Sequence, residues 1–287
     1  MRVSHFGKMG DMVYALPAIR ALARIHGPVH ITTSPLCWQM LPLLWEQPYI
    51  REAWVDGERE YKMDNGIFNF WEYYAEGEGL NISSQPKFFE DGWPLSWTGC
   101  YARAAGVNLE PEDFCIFPAL QNQRRYLRSC DVKFDGEKQE LPKYVVIAPE
   151  SETLGSHFDW YKLENLIRCK IVVIGNKLNS ISTTVPTLAR IIADAAGFIG
   201  AHSFPWHLAR HLEVPAVCLQ PWRPGLLRCI PVDTPYYWYE PEDYVQAVEK
   251  LSSLMENDHA EGKVEKSVYP GQAITAYVGG ADNGARP

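Results

Sequence analysis

The chain has 287 residues and a formal net charge of -8 at pH 7, with 46% hydrophobic and 22% charged residues. This length and composition suffice for one large or two ordinary globular domains, and they exclude an intrinsically disordered chain. The acidic balance disfavours a general phosphate-tracking surface, so nucleic acid is a disfavoured partner, although a local basic cleft is compatible with it.

Cysteine usage and hydropathy indicate a reducing compartment. The seven cysteines are odd in number, scattered and without a CxxC pair, which favours free thiols over a disulfide framework or a zinc site. No basic segment followed by an apolar segment precedes the first predicted strand, and no apolar run reaches 18 residues. We therefore expect a soluble, cytoplasmic protein without a transmembrane segment.

A strand, a glycine-containing turn and a helix follow one another at the start of the chain. Val3 and Phe6 lie in the predicted strand. Gly7 and Gly10 lie in the turn, where a glycine backbone can adopt positive φ or lie close to a ligand. Over residues 13–23 the apolar side chains recur at three- and four-residue spacing, which predicts one face of a helix.

Asp11 separates this turn from the helix and is predicted to lie at or just before the helix N-terminus. A carboxylate is favoured there by the free N–H groups and the helix dipole. It would also project from the carboxyl end of a strand, where ligands bind to open α/β sheets. Asp11 is therefore either a helix cap or a functional carboxylate. The turn has neither GxxxxGK[ST] nor GxGxxG spacing, so it indicates phosphate binding only weakly.

The next segment continues the alternation of strands and helices. A strand over residues 29–33, a helix over 38–45 and a strand near 53–55 are predicted, which is typical of a parallel α/β sheet.

The pattern breaks in an aromatic insert at residues 57–100, where Gly-rich polar turns accompany many aromatic side chains. Aromatic rings stack on sugar faces or on bases, and such rings also pack as ordinary core, so both interpretations remain open. The candidate residues for stacking on a sugar or base in this insert are Trp71, Tyr73, Trp93 and Trp97.

Two domains are predicted from the distribution of polar residues. A helix over residues 98–107 is followed by a polar, charged stretch at 121–141. We place an N-terminal domain at residues 1–135, a C-terminal domain at 136–255, and a polar, Gly-rich tail at 256–287.

The second half repeats the order of strand, loop and helix. Residues 144–148 are continuously apolar and rich in β-branched side chains, which predicts a buried parallel strand. A helix over 160–167, a strand over 170–174, a helix over 187–192 and a strand over 195–199 follow, and a closing helix is predicted over 241–255.

The run at residues 198–219 predicts a strand, a turn, a helix and a strand, with Ser203 as the helix N-cap and the first-turn N–H groups available to an anion. His207 lies in that first turn and is either a ligand-binding side chain or a core histidine. Arg223 and Arg228 follow the last strand, where a guanidinium group suits phosphate but is often merely solvated.

Two motifs resemble a known family. Gly7-Lys-Met-Gly-Asp11, followed by Ala15-Leu-Pro17, resembles the opening of the family 9 glycosyltransferases, which include the lipopolysaccharide heptosyltransferases. The run at residues 198–219 resembles their donor-binding segment. The resemblance implies an α/β fold of two Rossmann-like domains facing a cleft, the GT-B architecture. It also implies that Asp11 is the general base for the acceptor hydroxyl.

The second motif departs from the family pattern. The family's acidic residue is His202 here, its glycine is Phe204, and Pro205-Trp206 replaces a small or flexible pair, whereas His207 is retained. Phe204 would narrow the approach to the helix N–H groups. The donor site is therefore altered, which counts against a heptose donor.

A lysine that the family commonly places after the first strand of the second domain has no clear counterpart, so His157 or Lys162 is left as a substitute. No DxD-type pair lies in a suitable strand-end loop, which fits a metal-independent reaction, and no cofactor is expected. The candidate donor-binding residues are Gly10, His157, His202, Ser203, Phe204, His207, Arg223 and Arg228.

The resemblance implies an inverting glycosyltransferase that moves a sugar from a nucleotide-diphosphate donor to a carbohydrate or other hydroxyl acceptor. The candidate acceptor-binding residues are then Trp71, Tyr73, Trp93 and Trp97. Two alternatives remain open. An enzyme on the same scaffold could glycosylate a base in DNA, with the aromatic insert stacking on the flipped base. A non-catalytic protein of this fold could bind only a nucleotide or sugar, with its pocket blocked by Phe204.

Overall fold

The computed structural model describes residues 1–56, 63–64, 67–68, 79–83, 97–114, 116, 144–151, 156–175, 183–220 and 237–260. Within these ranges the chain forms two parallel sheets with helices packed on them, which confirms the α/β class. The predicted domain boundary at residues 135–136 lies outside the described residues, as does most of the aromatic insert.

The first sheet has four parallel strands in the order β3-β2-β1-β6. Its strands are β1 (Arg2–His5), β2 (Val29–Thr33), β3 (Ile50–Val55) and β6 (Leu80–Asn81), and a separate short hairpin consists of β4 (Met63–Asp64) and β5 (Ile67–Phe68). The predicted strand at residues 29–33 is confirmed with the same bounds. The two-residue β6 is not predicted from the sequence, because it is too short to show a period.

The second sheet has five parallel strands in the order β10-β7-β11-β12-β13. Its strands are β7 (Tyr144–Ala148), β10 (Lys170–Val173), β11 (Gly197–Gly200), β12 (Ala216–Leu219) and β13 (Trp238–Tyr239). All five residues of β7 are buried, as its continuous apolar sequence predicts. An antiparallel pair, β8 (Glu150–Ser151) with β9 (Ser156–His157), forms in the predicted loop after β7.

The helices largely match the predicted segments. They are α1 (Met9–His26), α2 (Leu41–Trp45), α3 (Trp97–Ala105), α4 (Tyr161–Glu164), α5 (Val185–Ala193), α6 (Phe204–His211) and α7 (Tyr244–Ala260), with 3-10 helices at Pro35–Met40 and Pro111–Phe114. The predicted helix at residues 38–45 is thus a 3-10 helix followed by one short α-helix, and that at 160–167 is shortened to one turn. The closing helix α7 continues five residues past its predicted end at Met255.

One apolar core runs through both halves of the chain. It joins buried side chains of α1, such as Leu16 and Ile19, to Val146 of β7 and Trp206 of α6. Burying each large apolar side chain stabilises the fold by about 1.5–3 kcal/mol. This core fixes α1 against α6.

A second apolar cluster lies on the other side of the second sheet. It includes Val145 and Ile147 of β7 and is covered by Ala247 and Leu251 of α7. Because side chains alternate along a strand, β7 supplies both clusters. The parallel strands of each sheet present their carboxyl ends at one edge, where the loops to α1 and α6 begin. An open cleft between two facing domains stays a prediction.

Candidate active site

The turn between β1 and α1 is held by side chains that follow neighbouring strands. The Ser34 hydroxyl, just after β2, donates to the Gly7 carbonyl oxygen at 2.6 Å, and the Cys37 thiol donates to the same oxygen at 3.2 Å. The Phe6 N–H donates to the Ser83 hydroxyl oxygen, after β6, at 2.8 Å. Two segments, one directly after β2 and one after β6, therefore fix the backbone from which Asp11 projects.

Gly7 and Gly10 are needed for close packing rather than for positive φ, since neither is among the positive-φ glycines. A methyl group at Gly7 would lie 2.5 Å from Cε1 of His5 and 2.8 Å from Cβ of Asp11. His5 is fully buried, its Nε2 pairs with the Tyr101 hydroxyl at 3.2 Å, and burial lowers its pKa to about 3. The absence of a side chain at Gly7 therefore lets the neutral imidazole of His5 and the side chain of Asp11 both lie against the turn.

Asp11 is the third residue of α1, so it lies inside the first turn rather than before it. Its Oδ2 accepts a hydrogen bond from the Lys8 N–H at 2.9 Å, which is a helix-capping contact. Burial raises the pKa of this half-buried carboxyl group to about 6, against the opposing effects of the Lys8 N–H and the Lys8 charge. Asp11 is thus a cap, and its raised pKa also suits a general base at neutral pH.

The loop between β11 and α6 is held in the same manner as the first turn. The His202 N–H donates to the Gln220 side-chain oxygen at 2.6 Å, and the Ser151 hydroxyl donates to the His202 carbonyl oxygen at 2.7 Å. Gln220 directly follows β12, and it is fully buried. Residues next to two neighbouring strands therefore fix the start of α6.

Ser203 occupies the N-cap position of α6, as predicted, with an extended backbone. Its hydroxyl does not cap the helix but donates to the Ala201 carbonyl oxygen at 3.1 Å. Phe204 is half-buried and packs partly against the core. Pro205 has no N–H, so this helix start has one backbone donor fewer than an ordinary one.

Three buried histidines cluster on this segment. The pKa of His202 is lowered to about 4, and so is that of His211, in both cases chiefly by burial. Burial, together with His202, His211 and Arg210, holds the pKa of His207 well below its usual range. The ring centroids of His202 and His207 are 4.5 Å apart. All three imidazoles are therefore neutral at physiological pH.

The two sequence motifs meet in the structure. A methyl group at Gly10 would lie 3.1 Å from Cδ2 of His207, and the Tyr14 hydroxyl forms a hydrogen bond with Nδ1 of His207. His207 also accepts, through its carbonyl oxygen, a hydrogen bond from Nδ1 of His211 at 3.0 Å. The start of α1, which carries Asp11, is thus in direct contact with the start of α6.

Of the predicted acceptor residues, the structure describes Trp97 alone. It begins α3, is half-buried, and its ring centroid lies 6.2 Å from that of Tyr14. The backbone of His157 lies in β9. The other predicted site residues lie outside the described residues, namely Trp71, Tyr73, Trp93, Arg223 and Arg228, together with the side chain of His157.

Sequence reasoning missed several residues that hold the site. Ser34, Ser83 and Gln220 each follow the end of a strand, and that position was the available signal, because strand ends of a parallel sheet meet at one edge. Tyr14 lies among the buried apolar side chains of α1, so its position in the sequence predicts only a core residue. Its partner lies 193 positions away, which local periodicity cannot reveal.

The described ranges contain neither a candidate metal site nor a helix that could span a membrane. No group of three or more His, Cys, Asp or Glu side chains there could hold a metal ion. Among the described helices, none is both long and apolar enough to cross a membrane.

Comparison with known proteins connects this geometry to one class of fold. No family model and no curated protein sequence matches the chain. Among solved structures, E. coli ADP-heptose lipopolysaccharide heptosyltransferase II is similar over 90% of this chain and 100% of its own, with a TM-score of 0.58 at 14% identity.

Two further structures agree with this match. A family 9 glycosyltransferase from Veillonella parvula is similar over 89% of this chain and 97% of its own, with a TM-score of 0.56 at 13% identity. The E. coli heptosyltransferase WaaC with ADP is similar over 90% of this chain and 100% of its own, with a TM-score of 0.56 at 11% identity. The chain therefore has the GT-B fold, which it shares with these glycosyltransferases.

Proposed function

We propose that this protein is a glycosyltransferase that moves a sugar from a nucleotide-diphosphate donor to an acceptor hydroxyl, with inversion at the anomeric carbon. The observation that carries the proposal is the contact of Gly10 with His207, since it brings the start of α1, with its Asp11, to the start of α6. The fold shared with known heptosyltransferases supports the same conclusion.

Asp11 is the proposed general base. Its pKa of about 6 leaves it mostly ionised at neutral pH while keeping it basic enough to accept a proton. The Lys8 N–H donates a hydrogen bond to Oδ2, so we assign the proton taken from the acceptor hydroxyl to Oδ1. Ser34, Cys37 and Ser83 keep the turn, and therefore the carboxylate, in place.

The start of α6 is the proposed diphosphate site. Backbone N–H groups and the dipole of a helix N-terminus attract phosphate oxygens, and the half-buried Ser203 hydroxyl can donate to one of them after giving up the Ala201 carbonyl oxygen. Arg223 and Arg228 are proposed to add charge from the following loop. In this scheme the helix start takes up the leaving charge without a metal ion or other cofactor.

The reaction is a single displacement. The acceptor oxygen forms a bond to the anomeric carbon while the bond from that carbon to the diphosphate oxygen breaks. The acceptor proton passes to Asp11, and the nucleoside diphosphate leaves with the bonding electron pair. Because base and leaving group lie on opposite sides of the sugar, the anomeric configuration inverts.

A carbohydrate or another hydroxyl compound is the proposed acceptor. Trp97, beside Tyr14, supports an aromatic acceptor surface near the start of α1, because aromatic rings stack on the apolar faces of sugars. DNA is the less favoured acceptor, since the net charge is -8.

Binding without turnover is a second candidate function, favoured by the altered start of α6. Pro205 removes one N–H from that helix start, and Phe204 occupies its first position. Such a protein would bind a nucleotide or a sugar and transfer nothing. Turnover distinguishes the two candidates.

A panel of nucleotides tests the proposal. ADP leads the panel because one of the similar structures holds ADP, and UDP, GDP and CDP complete it, each with its sugar conjugates. A ligand at 100 times its dissociation constant should stabilise the fold by about 2.7 kcal/mol. Stabilisation by one nucleoside diphosphate, with consumption of its sugar conjugate, supports a transferase. Binding without consumption supports the second candidate, and no binding by any member contradicts both the transferase and a nucleotide-binding protein.

A further inference from the structure

The contact between α1 and α6 includes one polar bond between buried side chains. Tyr14 is 2% exposed and lies one turn beyond Asp11, and His207 is 6% exposed and lies one turn beyond Ser203. The Tyr14 hydroxyl and Nδ1 of His207 are hydrogen-bonded, with ring centroids 4.7 Å apart. This hydrogen bond links the helix that carries Asp11 to the helix of the proposed diphosphate site.

Chemistry decides which atom donates in this bond. His207 is neutral, because burial and its cationic neighbour Arg210 hold its pKa well below the usual range. A neutral imidazole has one N–H donor and one lone-pair acceptor. A phenol is a stronger acid than a neutral imidazole N–H, and an imidazole lone pair is more basic than a phenol oxygen. Tyr14 therefore donates, Nδ1 accepts, and the proton of His207 is on Nε2.

The edge of the ring that bears Nε2 faces the start of α1. A methyl group at Gly10 would lie 3.1 Å from Cδ2 and 3.7 Å from Nε2 of His207. His207 is the fourth residue of α6, one turn after the N-cap residue Ser203. An N–H at Nε2 is therefore a donor at the junction of the two motifs, next to the proposed diphosphate site.

We propose that Tyr14 is a positioning residue that fixes His207 as the Nε2–H tautomer, so that this histidine donates a hydrogen bond to a phosphate oxygen of the donor. The inference rests on the proposed function for its ligand. Tyr14 itself touches none of the reacting atoms. Without its hydroxyl, His207 would distribute its proton between the two ring nitrogens, and ligand binding would have to select the productive form.

The test compares Tyr14→Phe with a matched control, Tyr144→Phe. Tyr144 is equally buried, and its hydroxyl donates to the Ile191 carbonyl oxygen at 2.6 Å, so both variants lose one buried hydroxyl and keep the ring. The measurements are side-chain 15N spectra of the histidines, the melting temperature, and the affinity for ADP, UDP, GDP and CDP.

Two results are expected. His207 in the unmutated protein should show a protonated Nε2 and an unprotonated Nδ1, and Tyr14→Phe should give a mixture of tautomers. Tyr14→Phe should also weaken nucleoside-diphosphate binding about tenfold, the magnitude of one hydrogen bond. Tyr144→Phe should lower the melting temperature while leaving the His207 spectrum and the affinity unchanged.

The contrary results are equally specific. A protonated Nδ1 in the unmutated protein would overturn the assignment of Tyr14 as donor. Equal affinities in Tyr14→Phe and Tyr144→Phe would reduce Tyr14 to a packing residue. If the unmutated protein binds none of the four nucleotides, the proposed function fails, and the inference loses its ligand. The 15N spectrum reports the tautomer of His207 independently of binding, so it distinguishes this failure from a wrong tautomer assignment.

Discussion

The Ser34 hydroxyl donates a hydrogen bond of 2.6 Å to the Gly7 carbonyl oxygen, and through it β2 holds the turn that presents Asp11. Ser151 performs the same task for the other motif, by donating to the His202 carbonyl oxygen at 2.7 Å. The two hydroxyls are both buried. One holds the turn of the proposed base and the other holds the proposed donor site.

Ser34→Ala should therefore lower turnover while leaving nucleotide affinity unchanged, and Ser151→Ala should weaken nucleotide affinity. Each substitution removes one buried hydrogen bond, so each should cost about 1 kcal/mol of the free energy of unfolding. Titration with the bound nucleotide, transfer rates and urea unfolding check the pair. Identical kinetic changes in the two variants would show that the hydroxyls support only the fold.

Gly10→Ala should impair transfer more than it impairs stability. The added methyl group would lie 3.1 Å from Cδ2 of His207, which is tight enough to push α1 and α6 apart by a few tenths of an ångström. Alanine favours the helix by up to about 1 kcal/mol relative to glycine, which offsets part of the strain. The melting temperature should thus stay close to that of the unmutated protein while the transfer rate falls. Full transfer activity in Gly10→Ala would mean that this contact does not set the geometry of the site.

The buried histidines should make the fold sensitive to acid. His5, His202, His207 and His211 all have pKa values below the 6.5 of an exposed histidine. The unfolded chain therefore binds more protons than the folded one below pH 6.5, so these groups lower the free energy of unfolding as the pH falls toward 4. Each contributes up to about 1.4 kcal/mol per pH unit in that window.

Asp11 has the opposite effect on the pH dependence of the free energy of unfolding. Its pKa is raised from 3.8 to about 6, so between these values the folded state binds more protons than the unfolded one, and this effect favours the fold as the pH falls. Four histidines outweigh one carboxyl group, and urea unfolding at pH 7 and pH 5 should show a clear loss of stability at pH 5. Equal stability at the two values would contradict the neutral, buried state of the histidine cluster.

The rate should depend on pH through Asp11. A general base acts only when deprotonated, so kcat/KM should rise as the pH increases through about 6 and level off above pH 7. The profile is measured within the range in which circular dichroism shows an intact fold. A rate independent of pH between 5 and 8 would remove a carboxyl group with this pKa from the rate-limiting step.

The sequence predicts those parts of the fold that have a local signal. The continuous apolar run at Tyr144–Ala148 identifies β7 with its observed bounds, because a parallel strand buried on both faces needs no polar alternation. The predicted helix at residues 160–167 is wrong beyond Glu164, after which the chain forms a turn around Asn165. The short β13 is too brief to show any period.

The site was predictable only in outline. Asp11 and Ser203 follow from turn and capping chemistry, and the structure places both at helix starts. The bond between Tyr14 and His207 depends on how two distant helices pack, and no local pattern encodes that distance. Glycine at position 10 signals freedom of the backbone, whereas its observed use is contact with an imidazole.

A matched control is available for the proposed base. Asp113 Oδ2 accepts the Glu110 N–H at 2.9 Å, which reproduces the contact between Asp11 and the Lys8 N–H at 2.9 Å. Asp113 also pairs with Arg24 at 3.0 Å, and it lies in the 3-10 helix at Pro111–Phe114, outside the contact of the two motifs. Asp113→Asn therefore reports what an aspartate-to-asparagine change at a capping carboxylate does to the fold.

The most direct test is single-turnover transfer by Asp11→Asn, with the sugar nucleotide that the panel identifies and with melting temperatures alongside. Asparagine keeps the size of the side chain and an oxygen for the Lys8 N–H, and removes the basicity. We predict a loss of transfer of roughly 10²–10⁴-fold with donor affinity nearly unchanged, while Asp113→Asn keeps its rate. Near-normal transfer by Asp11→Asn would contradict the account and leave Asp11 as a helix cap.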